Sequence, residues 1–83
     1  MDQITRTPQQ LAAVLRRRRR QLGLSQVALA RQMTVRQATI SHIENSSANI
    51  RVATLLNILA ALELELAVRP RTKSTAQDIE DLF

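Results

Sequence analysis

Eighty-three residues carrying 12 Lys+Arg against 7 Asp+Glu make one small domain at most, with a formal net charge of +5. With no Cys and a single His, the chain has no disulfide scaffold, no thiolate metal site and no cysteine nucleophile, and His42 cannot by itself make a metal site or a triad, so no catalytic residue, metal or cofactor is expected and an enzyme is disfavoured. There is no Trp, no Tyr and one Phe (Phe83), so any core must be aliphatic, in a chain near the lower size limit for folding on one core.

The first helix starts well. Thr7 is a good N-cap, Pro8 suits the first helical position, and Gln10 completes a Thr-x-x-Gln capping box. Leu11, Val14, Leu15 and Leu22 recur near helical spacing, and Gly23 is the stop. Arg18 falls on the same stripe, where its stem can pack while its head reaches out. A second helix follows Ser25 as N-cap and runs to about Met33, with Leu29, Ala30 and Met33 inward. Only Thr34, Val35 and Arg36 separate it from a third helix over residues 37–45, with Ile40 and Ile43 inward; so short a connection predicts a steep crossing. A fourth helix over residues 52–62 is apolar nearly all round (Leu55, Leu56, Ile58, Leu59, Leu62), which suits a central helix or one covered by a second subunit.

The period then changes to two. Leu64, Leu66 and Val68 alternate with Glu63, Glu65, Ala67 and Arg69, the pattern of a half-buried strand; the competing reading is that 63–69 continues the fourth helix. No second strand stands out, so a strand here needs the same strand of a second copy, giving a two-fold homodimer. The expected fold is therefore mainly α: residues 1–69 as one helical domain ending in a dimerising strand (about 63–69), and 70–83 as a flexible tail.

Charge divides along the same line. Residues 1–62 hold nine Arg and two acids, Asp2 and Glu44, a net of +7; residues 63–83 have a net of −2. The excess cation predicts attraction to phosphate without specifying a function. Neither an apolar leader nor a run of roughly 18 apolar residues occurs, and a cytoplasmic location without membrane contact is expected.

Residues 26–45 resemble the DNA-binding helix-turn-helix. Ala30 stands where the two helices must approach closely, Val35, Ile40 and Ile43 are the apolar positions that lock the second helix of the motif, and the turn carries Thr34 where Gly is usual. With Gly23-Leu24-Ser25-Gln26 ahead of the motif and 38–45 (ATISHIEN) after the turn, the chain is similar to the phage repressor/Cro (XRE) class, with a lambda-repressor-like fold of four to five helices. A fourth helix followed by 62–66 (LELEL) resembles HipB-like antitoxins more closely, over about residues 8–69.

The resemblance implies a homodimeric, sequence-specific repressor that binds palindromic operators in double-stranded DNA, autoregulates its operon and neutralises a HipA-like Ser/Thr kinase toxin. Arg36, Gln37, Ala38 and Ser41 would face base edges in the major groove; Gln can bond adenine, Arg guanine, and the Ala methyl can touch thymine. Gln26 would bond a backbone phosphate and steady Gln37, and Thr39 and His42 would hold phosphate or sugar, His42 being equally well a solvated imidazole. Arg19 and Glu44 would form a structural ion pair, and Leu64, Leu66 and Val68 the dimer strand. Alternatives stay open: a free-standing regulator without a toxin, or a protein–protein adaptor with vestigial DNA binding.

Two segments have no single reading. Residues 16–20, all Arg, cover every face of a helix and serve as a solvated basic surface, as phosphate contacts or as contacts to an acidic partner. In the tail, residues 70–77 read as linker, and Ile79, Leu82 and Phe83 either fray or fold onto a partner's groove.

Overall fold

The computed structural model describes residues 3–46 and 49–71. They form four helices: α1 (Pro8–Gln21), α2 (Gln26–Met33), α3 (Gln37–Asn45) and α4 (Val52–Ala61). The tail from residue 72 onward, with the candidate face of Ile79, Leu82 and Phe83, lies outside the described residues.

Local chemistry sets most boundaries. At α1 the Thr7 hydroxyl accepts from the Gln10 N–H at 3.1 Å. The Gln10 side chain reaches one residue further back than the capping box requires, accepting from the Arg6 N–H at 2.6 Å. Ser25 caps α2, its Oγ accepting from the Ala28 N–H at 3.0 Å.

Three of the four helices end in the same way. After α1, Leu24 N–H donates to Arg19 O and Gly23 N–H to Arg20 O; after α2, Val35 N–H donates to Ala30 O and Thr34 N–H to Arg31 O. After α4, Leu64 N–H donates to Leu59 O and Glu63 N–H to Ala60 O. This is the paired 6→1 and 5→2 bonding that closes a helix through one left-handed residue. That residue is Gly23 (φ 71), Thr34 (φ 57) and Glu63 (φ 58). A turn is tight enough to demand the left-handed conformation in all three places, but only one has the residue that adopts it without cost.

Glu63 thus corrects the sequence reading at one point. It is not the first residue of an extended run but the residue that stops α4, and helix does not continue through 63–69. Residues 64–71 are neither helix nor strand in the single chain. A ladder needs a second row of backbone groups beside the first.

The core is aliphatic. Leu15, Leu29, Ile40, Ile58 and Leu62 are fully enclosed, with Ala30, Ile43 and Leu59 beside them. Each fully buried aliphatic side chain contributes roughly 1.5–3 kcal/mol. Leu11, Leu22, Met33, Val35, Leu55 and Leu64 close its edges. The fourth helix is not enclosed all round: Val52 and Leu56, four residues apart, stay on its open side.

Candidate nucleic-acid interface

The turn that closes α2 aims α3. Thr34 in the left-handed conformation reverses the chain, Val35 packs on the core, and Arg36 takes an extended φ of −78° as the N-cap of α3. Ile40 and Ile43 anchor the inner side of α3, which turns Arg36, Gln37, Ala38 and His42 to the exposed side. Thr39 and Ser41 are half-buried at its margins. Arg36 makes no side-chain cap bond.

Behind this surface stands a buried ion pair. Arg19, from α1, donates through Nε to Glu44 Oε2 at 2.6 Å and through Nη2 to Glu44 Oε1 at 3.0 Å. Its third arm, Nη1, donates to Leu24 O at 2.8 Å. Both residues are buried, at 8% and 4% exposure. A fork-on-fork guanidinium–carboxylate pair fixes direction as well as distance, so α1 sets the position of the end of α3.

The pair is continued to the surface by two amides. Gln26 Nε2 donates to Glu44 Oε1 at 3.2 Å, and Gln37 Nε2 donates to Gln26 Oε1 at 2.9 Å. Gln37, exposed at the front of α3, is therefore joined through Gln26 and Glu44 to Arg19 in the core. Sequence reasoning paired Arg19 with Glu44 and Gln26 with Gln37 by resemblance; it missed the bond between Gln26 and Glu44. Those residues are 18 positions apart and on different helices, and no local spacing brings them together.

The five consecutive arginines separate into different roles. Arg19 belongs to the ion pair, and Arg18 donates through Nε to Leu62 O at 2.9 Å; Arg16, Arg17 and Arg20 are exposed. Arg31, Arg36 and Arg51 are exposed as well. Among the described residues no group of three His, Cys, Asp or Glu could hold a metal ion, and no helix is long and apolar enough to cross a membrane.

A second feature lies beside Leu55 and Leu59 of α4. Ile4, Leu11, Leu55, Leu59, Leu64 and Leu66 line a groove of about 550 Å³ between the segment before α1 and the segment after α4. Leu64 packs against the core, whereas Leu66 and Val68 are 56% and 93% exposed.

Comparison with known proteins places these features in a family. The profile of the helix-turn-helix family matches residues 15–68. Antitoxin HipB of Escherichia coli (strain K12) is 34% identical over 74 residues, covering 89% of this chain and 84% of that protein. A solved HipB complex with an O4 20mer superimposes with a TM-score of 0.79 at 35% identity, covering 86% of this chain and all of that one. The matched chain of a HipA–HipB–O2–O3 complex also gives a TM-score of 0.79 at 35% identity, over 86% of this chain and all of that one. The four-helix architecture with its helix-turn-helix is that of an XRE-type DNA-binding domain. The chain belongs to the HipB antitoxin family.

Proposed function

We propose that the chain is a sequence-specific DNA-binding repressor, acting in the cytoplasm as a homodimer and as the antitoxin of a HipA-like Ser/Thr kinase, and that it autoregulates its operon. The observation that carries this reading is the exposed front of α3, where Gln37 and Ala38 stand outward on a helix held from behind by a buried ion pair. Solved HipB structures with operator DNA and with HipA support it.

In this reading Arg36, Gln37, Ala38 and Ser41 contact base edges, and Gln26, Thr39 and His42 contact the backbone. Residues 1–69 form the DNA-binding and dimerising unit and 70–83 a tail. Leu64, Leu66 and Val68 lie in a strand that pairs across the two-fold axis. Two copies of α3 related by that axis require a pseudo-palindromic operator.

The test is duplex binding by the purified chain at several salt concentrations, with a site selected from random sequence. A two-fold selected site, affinity falling steeply with salt, and a base preference lost at one position per half-site in Gln37→Ala are expected. An unchanged preference in that variant would overturn the recognition assignment. Co-expression with the adjacent reading frame tests the kinase: a partner of kinase size should co-purify.

A further inference from the structure

We propose that Arg18 sets which half-site spacing the chain selects, because it ties the root of the dimerising segment to the same helix that holds α3. The inference rests on the proposed strand-paired dimer and its two-fold operator, and adds the positioning residue that fixes how far apart the two copies of α3 stand.

Arg18 and Arg19 are neighbours on α1, about 100° apart around its axis, so they reach different elements. Arg19 forks onto Glu44, in the last turn of α3. Arg18 donates through Nε to the carbonyl oxygen of Leu62, the C-cap of α4, at 2.9 Å. Its Nη2 stands 3.9 Å from Oε2 of Glu63, the left-handed residue from which the alternating segment departs. Leu64, the next residue, lines one hollow with Arg18 and Val14 and packs against the core. Two successive residues of one helix thus grip the end of α3 and the start of the segment proposed to pair across the axis.

In a two-fold dimer the paired segment lies at the axis and α3 lies at each half-site. Adding one base pair between the half-sites moves one of them by about 3.4 Å and turns it by about 35° around the duplex. A stiff link between strand and α3 resists that displacement, and a loose one absorbs it. Apolar packing holds Leu62 and Leu64 in place without fixing a direction, whereas the bond from Arg18 Nε–H is directional. Loss of that bond therefore shows in the choice of spacing rather than in the choice of base.

The test uses the full chain and its selected duplex, with one base pair added to or removed from the centre. The readout is the ratio of affinities, selected spacing over altered spacing, at a temperature where circular dichroism shows each variant folded. Arg18→Met and Arg18→Gln both lose the guanidinium, so any phosphate contact is lost equally in the two. Glutamine keeps an N–H donor the same number of bonds from the backbone as Nε, and methionine keeps only the length. The ratio should fall about two- to tenfold in Arg18→Met, the factor carried by one hydrogen bond. It should hold in Arg18→Gln and in Arg17→Met, a change at an exposed position. Base preference within a half-site should stay the same throughout. A second measurement needs no variant: by NMR, the Arg18 Nε–H of the uncomplexed parent should exchange with solvent more slowly than those of exposed Arg16 and Arg17. An unchanged ratio in Arg18→Met, an equal fall in Arg18→Gln, or exchange as fast as at Arg16 and Arg17 overturns the role of Arg18 and leaves the two-fold operator standing. A parent chain indifferent to spacing overturns the two-fold reading itself, and this inference with it.

Discussion

Arg18 Nε donates to the carbonyl oxygen of Leu62 at 2.9 Å, joining α1 to the residue that caps the end of α4. The last carbonyls of a helix have no partner within it and carry the negative end of its dipole, so a cation there both satisfies an acceptor and opposes that charge. Arg18→Met, which keeps the packing stem, should destabilise the fold by about 1–2 kcal/mol. Arg17→Met, at an exposed position, should stay within about 0.5 kcal/mol of the parent. Urea unfolding followed by far-ultraviolet circular dichroism separates the two.

The buried ion pair should respond differently to single and double replacement. Arg19→Met strands the Glu44 carboxylate, and Glu44→Leu strands the guanidinium; either costs about 3–5 kcal/mol. Replacing both leaves no orphaned charge and should cost much less than the sum. A double-mutant cycle on unfolding free energies checks this, and strict additivity would show that the two side chains do not interact.

Two helix terminators hold left-handed residues other than glycine, Thr34 and Glu63. The conformation costs an L-residue about 1–2 kcal/mol, partly offset by the larger unfolded-state entropy of glycine. Thr34→Gly and Glu63→Gly should each raise stability by about 1 kcal/mol, and their effects should add because they lie in separate turns. A lowered melting temperature in either variant would mean that the side chain makes a compensating contact.

Arg36 occupies the N-cap of α3 without capping it. Arg36→Ser supplies a hydroxyl acceptor for the first-turn N–H groups and should stabilise the fold by about 1 kcal/mol. The same change removes a cation from the proposed DNA surface, so duplex affinity should fall while melting temperature rises. Measuring both on one preparation checks whether position 36 trades stability for binding.

Assembly is tested at the alternating segment. Leu66→Glu places a charge where Leu66, with Leu64 and Val68, is proposed to pair across the axis. The variant should sediment as a monomer at micromolar concentration with its helices intact, and operator affinity should drop with the loss of the second half-site. A parent chain that is itself monomeric at that concentration would remove the basis of the two-fold operator.

The ends of α1 and the start of α2 were legible because they depend on neighbours: Thr7 and Ser25 cap the turn that follows them, and Gly23 stops the turn before it. The inward positions Leu15, Leu29, Ile40 and Ile43 were legible from helical spacing. Glu63 was not, because an alternating apolar pattern and a left-handed cap make no conflicting demands on Leu64. Nor was the division of labour within residues 16–20: five identical side chains carry no information about which meets Glu44, which meets Leu62 and which faces water. Those assignments come from the crossing of α1 with α3 and α4, hence from the packing of the whole domain.

The repeated helix terminator also bears on how long the molecule persists. With glycine at one of three left-handed positions, the chain folds short of the stability its backbone permits, by an amount on the order of 2 kcal/mol. Each step of about 1.4 kcal/mol changes the unfolded fraction tenfold, and proteases that act on open chains draw on that fraction. Substituting Thr34 and Glu63 with glycine would leave the outward side chains of α3 as they are and lengthen the protein's lifetime in the cell. Two turns that touch no base would then regulate dosage.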